Sequence, residues 1–195
     1  MEKSELMAQL KSESRELLEA CDPDVNMVWG EGNLDADLVL IGEAPGGEED
    51  KRGHPFVGAA GRLLDSELAQ AGIPREIIYI TNVVKCRPIH TDDGRITNRP
   101  PTGKEIKTWS EALARELEIV SPRLILCLGA VAASVIIHPG FAMTSERGDW
   151  FNGPLNTRAM ATFHPSYILR AKSARDITTI NAFKQDLAAI ASAMK

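Results

Sequence analysis

Four apolar runs set the frame for this chain: residues 37–42, 77–84, 123–128 and 158–163, each six to eight residues long and each bordered by a helical pattern. Runs that short and that uniformly apolar suit strands buried on both faces. Residues 3–20 carry Leu6, Leu10, Leu17 and Leu18 among charges, and residues 58–71 put Leu63, Leu64 and Leu68 on one face. Thr102-Gly103-Lys104-Glu105 reads as a capping box that opens a helix to about Val120. Shorter and longer helices follow at 129–137 and 176–194, and Asp22-Pro23-Asp24 breaks the first helix. Strands alternating with helices imply parallel pairing through right-handed crossovers. The expected fold is α/β: a three-layer α/β/α sandwich with a central four-stranded parallel sheet, residues 1–195 forming one domain.

In such a sheet, ligands bind outside the carboxyl ends of the strands. Those ends carry Gly42-Glu43, Thr81-Asn82, Leu128-Gly129-Ala130 and His164-Pro165-Ser166. The first leads into Ala44-Pro45-Gly46-Gly47-Glu48-Glu49-Asp50, a turn that offers backbone N–H groups and carboxylates. An Asn at 82 can donate and accept toward an imide edge, or it can stabilise its own turn. Phe56 lies off any periodic face; its ring can stack on a flat base, worth about 1–3 kcal/mol, or plug the core beneath its loop. His164 is either a structural hydrogen bonder or a catalytic donor.

Bulk properties narrow the setting. No run of about eighteen apolar residues exists, so no membrane association is expected, and the charged start, Met1-Glu2-Lys3-Ser4-Glu5, is not a secretory leader. The net charge of −5 argues against wholesale nucleic-acid coating, yet residues 85–107 hold six basic groups against three acidic ones. Three cysteines without CxxC spacing argue against a disulfide framework or a zinc site and suit a reducing cytoplasm.

The ordered segments Trp29-Gly30-Glu31-Gly32-Asn33, Gly42-Glu43-Ala44-Pro45-Gly46, Pro55-Phe56-Val57-Gly58, Tyr79-Ile80-Thr81-Asn82, Lys85-Cys86-Arg87-Pro88 and Phe163-His164-Pro165-Ser166 together resemble the uracil-DNA glycosylase superfamily, its family 4 above all. The resemblance implies a monofunctional hydrolase of base excision repair that flips uracil out of DNA and cleaves its N-glycosidic bond. It implies Glu43 and His164 as catalytic groups and Glu49 as a second acid. Phe56, Asn82 and the backbone of Ala44 and Gly46 would bind uracil. Ser166, Arg170, Lys85 and Arg87 would hold the DNA, single- or double-stranded, with the protein acting as a cytoplasmic monomer. Two other readings share these residues: a non-catalytic module that binds uracil-containing or abasic DNA, and a glycosylase for another deaminated base.

The chain also departs from that family. Family 4 members hold a four-iron, four-sulfur cluster on four cysteines, and here only Cys86 matches. Trp109 stands at the last ligand position; Cys21 is misplaced and without a partner; Cys127 reads as a core residue. The expectation is no cluster and no metal, with Trp109 and the first helix packing in its place. One branch of the superfamily traps uracil with a histidine in the basic loop. Asn98 falls near that position, His90 earlier, and the 88–101 loop has no further assignment.

Overall fold

A computed structural model gives the fold for residues 2–21 and 24–195, with Ala20 in its backbone alone. The Asp22-Pro23 break lies outside the described residues. In chain order the elements are α1 (Lys3–Glu13), β1 (Glu31–Gly32), β2 (Leu38–Gly42), α2 (Gly47–Arg52), α3 (Ala59–Gln70), β3 (Tyr79–Asn82), β4 (Ile89–Asp92) and β5 (Arg95–Asn98). They continue with α4 (Gly103–Val120), β6 (Leu124–Leu128), α5 (Ala130–Ile136), α6 (Met143–Glu146), β7 (Trp150–Asn152), β8 (Arg158–Thr162), α7 (Pro165–Ser173) and α8 (Ile177–Ala193).

The main sheet runs β1-β3-β2-β6-β8-β7. Its inner four strands are the four apolar runs, and all pair in parallel, with Leu40 opposite Ile80 on one side and Leu126 on the other. Two short antiparallel strands, β1 and β7, extend the expected four to six. They are two and three residues long, too short to show a period of two.

Alternate strand residues face opposite layers. Val39, Ile41, Ile125, Cys127 and Ala161 pack with Leu10 of α1, Leu113 of α4 and Ala132 of α5. Leu38, Leu40, Ile80, Leu126 and Met160 pack with Leu64 and Leu68 of α3 and with Phe183, Leu187 and Ile190 of α8. Each fully buried aliphatic or aromatic side chain contributes about 1.5–3 kcal/mol. That burial holds the strand ends, and hence the loops leaving them, in fixed relation.

The capping box forms as expected: Thr102 Oγ1 accepts from Glu105 N at 3.2 Å, and Glu105 Oε2 accepts from Thr102 N at 2.6 Å. The same carboxylate holds Arg99 through two bonds of 2.8 Å. That guanidinium draws the Glu105 carboxyl down to about 2. The stretch read as a long loop contains a hairpin, β4–β5, closed by Asp93-Gly94 with positive φ at both residues (44° and 76°), the backbone of a type I′ turn.

A second correction concerns the cysteines. Cys21 is bonded to Cys86 in a disulfide, with Cα atoms 6.0 Å apart. A 3₁₀ turn, Ser14–Ala20, carries the chain from α1 to Cys21. Met27 bridges to Cys86, and Val28 N donates to Lys85 O at 2.7 Å. Cys127 is a buried strand residue, as read from the sequence, and burial raises its thiol pKa. Trp109 is buried edge-on to Trp29 in the layer that also holds Met7 and Leu10. Among the described residues no helix is long and apolar enough to cross a membrane.

Candidate active site

A cavity of about 470 Å³ opens beside the carboxyl ends of β2, β3 and β8 and gathers Glu43, Phe56, Asn82, Asn98 and His164. β2 and β3 stay zipped past their ends, because Val83 N donates to Gly42 O (2.9 Å) and Val84 N to Glu43 O (3.1 Å). Glu43 and Asn82 are therefore held side by side. Glycine is required at 42: a Cβ there would stand 2.4 Å from Asn82 Oδ1 and 2.5 Å from the Phe56 ring. The amide and the ring thus converge on one point.

Asn82 is 2% exposed, and among the described residues its buried Oδ1 has no hydrogen-bond partner. Left unpaired, a buried acceptor costs about 1–3 kcal/mol, so a ligand that brings a donor to this point is favoured. Phe56 is held in the left-handed region (φ 55°), uncommon for a bulky residue. Two contacts enforce it. A Cβ on Gly61 would land 1.7 Å from Phe56 O, so the first turn of α3 wraps the loop closely. Glu49 Oε1 accepts from Gly58 N at 2.8 Å and closes it from the other side. One oxygen of Glu49, expected as a second acid, is thus engaged in shaping the loop; Oε2 lies over Gly46, 2.7 Å from where its Cβ would be.

His164 caps α7. Its Nδ1 accepts from Ser166 N at 3.2 Å and lies 2.8 Å from Ser166 Oγ. Because Nδ1 accepts from a backbone N–H, the ring proton resides on Nε2. Burial, with Arg170 nearby, pulls the imidazole pKa down to about 4 against the opposing pull of Glu49. At neutral pH the ring is an uncharged Nε2–H donor. Its centroid lies 6.2 Å from that of Phe56. Glu43 is half-buried, and desolvation raises its carboxyl pKa.

The remaining expected residues divide. Ala44, Gly46, Ser166 and Arg170 line the cavity. The N–H groups of Ala44, Gly46 and Gly47 make no backbone hydrogen bond among the described residues. Arg87 stands behind the wall, its Nε donating to Asn98 Oδ1 at 2.7 Å. Lys85 is a correction. It is fully buried and presents nothing to DNA. Its ammonium finds a partner inside, donating to Glu116 Oε2 (2.6 Å), Thr81 Oγ1 (2.7 Å) and the Asn82 carbonyl (2.7 Å). Glu116 also accepts from Tyr79 Oη, Thr81 Oγ1 and Gly30 N. This buried network, which sequence reasoning missed, supports Asn82 from behind. Its only sequence signal is a Glu on the apolar face of α4.

Missed as well was a brace under His164. Asp186 of α8 accepts from Thr162 Oγ1 (2.6 Å) and from Arg147 Nη1 (2.6 and 2.8 Å), fixing the end of β8 two residues before the imidazole. His90 lies exposed on β4, and His54 and His138 pair with Glu31 and Glu146, as surface or helix-end residues do.

Comparison with known proteins agrees with this architecture. The family model described as "Uracil DNA glycosylase superfamily" matches residues 29–188. A type-4 uracil-DNA glycosylase of Thermotoga maritima is 46% identical over 152 residues, covering 76% of this chain and 74% of that protein. One from Pyrobaculum aerophilum is 34% identical over 186 residues, 89% of each chain. One from Archaeoglobus fulgidus is 49% identical over 113 residues, about half of its own length. With the match spanning both banks of the cavity and the sheet that bears them, this chain belongs to the uracil DNA glycosylase superfamily.

Proposed function

We propose that this protein is a uracil-DNA glycosylase, a hydrolase that removes uracil from DNA as the first step of base excision repair. The observation that carries the reading is the buried, unpaired Oδ1 of Asn82 beside the Phe56 ring. An apolar ligand would leave that acceptor unpaired; a uracil edge supplies its N3–H, while the amide Nδ2 donates to O4. The relatives named above, all type-4 uracil-DNA glycosylases, support the same substrate.

The uracil atoms are unreachable inside a duplex, so the nucleotide must leave the stack. Phe56 then stacks on the base and Asn82 pairs with it. As the N1–C1′ bond breaks, its electron pair goes to the base and spreads to O2, and the sugar becomes an oxocarbenium ion. The Nε2–H of His164 stabilises O2 as a preorganised neutral donor, aided by the N–H groups of the 44–47 turn. The Glu43 carboxylate stabilises the cationic sugar and orients water. The water oxygen bonds to C1′ and its proton passes to Glu43, leaving an abasic site. Glu49 serves as the second carboxylate of the wall. Ser166 and Arg170 lie on the strand-8 rim, where DNA phosphates pass. A single chain supplies every group, which fits a monomer built as one domain.

The family's iron–sulfur cluster does not fit this chain. Four thiolates are needed, and the sequence has three cysteines. Two are bonded to each other, and Cys127 lies within the sheet. Among the described residues no three His, Cys, Asp or Glu side chains gather as ligands. We therefore assign no cluster. Protein purified without oxygen is expected to carry no iron and no sulfide, and to lack the visible absorbance of a thiolate-bound cluster; stoichiometric iron would overturn this.

Base release from single-stranded and U:G oligonucleotides tests the function. Uracil release is expected from both, and tight binding without release would leave only a binding module. His164→Ala is expected to lose about 10²–10³ in kcat, the value of one oxyanion donor. Because the ring is already neutral above about pH 4, the pH profile from 6 to 9 should keep its shape. A wild-type rate in this variant would remove His164 from the mechanism.

A further inference from the structure

The Cys21–Cys86 disulfide joins positions 65 apart in the chain, and Cys86 sits between two residues that hold the cavity from behind. Before it, Lys85 donates from Nζ to the Asn82 carbonyl at 2.7 Å. After it, Arg87 donates from Nε to Asn98 Oδ1 on the cavity wall at 2.7 Å. Cys21 anchors the segment that packs across the back of these residues. Asn26 N donates to Asp50 Oδ1 at 2.7 Å and its Nδ2 to Asp50 O at 3.1 Å. Met27 bridges to Cys86, Val28 N donates to Lys85 O at 2.7 Å, and Gly30 N donates to Glu116 Oε1 at 3.1 Å. The ring of Trp29 faces the Lys85 ammonium, 5.8 Å from its centroid. Residues 26–30 thus touch α2, which continues the 44–47 turn, and the buried ion pair that supports Asn82.

The bond is placed to exchange with thiols in solution. Cys86 is buried, whereas Cys21, just after the 3₁₀ turn, is only partly so. A thiolate from outside therefore attacks the Cys21 sulfur; the S–S bond breaks, and Cys86 leaves with the electron pair and takes up a proton. A second thiol resolves the mixed disulfide at Cys21. Two electrons and two protons enter the protein, and the reductant, a low-molecular-weight thiol or dithiol, leaves as its own disulfide. Cys127 does not compete, being buried within β6. With the bond open, residues 24–30 keep their hydrogen bonds but lose their covalent anchor, so this segment opens more readily.

We propose that Cys21–Cys86 is a thiol-responsive clamp that sets how firmly Asn82 is held. Oxidised, it fixes residues 26–30 and Lys85 behind the amide. Reduced, it loosens both and weakens uracil binding. The link to uracil rests on the glycosylase reading of the cavity; the clamp itself rests on the disulfide and its neighbours.

The test compares the full chain equilibrated with glutathione disulfide and with dithiothreitol, at a temperature well below melting. Alkylation after denaturation should find one thiol, Cys127, in the oxidised protein and all three in the reduced one. Reduction should lower Tm by about 5–15 °C, the effect of opening a loop of this size in a chain of this length. Hydrogen exchange of residues 24–30 should quicken on reduction while that of α8 stays the same. Kd for free uracil should rise roughly three- to tenfold, less than the full loss of a hydrogen bond to a charged group, because Lys85 is loosened and not removed. Every change should reverse on reoxidation. Cys21→Ser should match the reduced protein in either buffer, and Cys127→Ala should respond as wild type does. Three thiols in the oxidised protein, a measurable uracil Kd that is equal in the two states, or a thiol response that survives in Cys21→Ser would each overturn the proposal. If wild type neither binds uracil nor releases it, the glycosylase reading fails instead, and the thiol count, Tm and exchange still decide the clamp.

Discussion

Glu43→Gln leaves a folded protein that releases uracil about 10²–10⁴-fold more slowly than wild type, the usual worth of a positioned acid–base group. The amide keeps the shape of the carboxylate and removes its charge from beside the nascent sugar cation. Desolvation raises the pKa of Glu43, so wild-type activity should fall with decreasing pH through a midpoint above the ordinary carboxylate value, and that limb should vanish in the variant. Stability should move the opposite way. A carboxyl whose folded pKa is raised favours the protonated form in the fold. Its contribution is present below the unfolded pKa of about 4.3 and is lost as pH rises through the folded value. At pH 7 the ionised side chain therefore opposes folding. The glutamine variant should melt at the same temperature as wild type or higher, and the difference should disappear in acid. Rate profiles from pH 4 to 9 and thermal denaturation check both halves. An unfolded variant, or one with unchanged activity, would remove Glu43 from its role.

Glu116→Ala should cost about 3–5 kcal/mol, the penalty for stranding one member of a buried ion pair. Lys85 and Glu116 are both fully buried and 2.6 Å apart. Without the carboxylate, the ammonium, the Tyr79 hydroxyl and Gly30 N all lose an acceptor. Replacing both residues by apolar ones, Lys85→Met with Glu116→Leu, should recover the part of the loss due to the stranded ammonium, while the Tyr79 hydroxyl and Gly30 N still lack their acceptor. The double variant still lacks the ammonium that holds the Asn82 carbonyl. It should therefore refold well yet bind free uracil more weakly than wild type. Chemical denaturation and uracil inhibition separate the two effects. A single variant as stable as wild type would show that the pair contributes nothing.

The strands and the groups that line the cavity were legible for the same reason. Apolar runs such as Leu38–Gly42 mark buried parallel strands, and Glu43, Asn82 and His164 stand at or just past the ends of such runs, where loops carry function. The hairpin was less legible because its residues, apart from Ile89, are exposed on both faces and show no alternation; the Asp93-Gly94 pair was the signal that marked its turn. Helix α2, six residues long, is too short to show a helical period. Lys85 misled because charge says nothing about burial, and its partner lies 31 residues away on another element. The same holds for Cys21 and Cys86, separated by 65 positions. The rotation of the Asn98 amide depends on Arg87, eleven residues away, and only coordinates fix it.

In the proposed mechanism Glu43, Asn82 and His164 act together to hydrolyse the bond between uracil and deoxyribose. A single-turnover reaction in ¹⁸O-labelled water, followed by mass spectrometry, tests it most directly. The expected result is one free uracil per strand, ¹⁸O at C1′ of the abasic product, and no change in an oligonucleotide carrying cytosine instead. Uracil that is bound but never released, or a lasting covalent adduct with the protein, would contradict it.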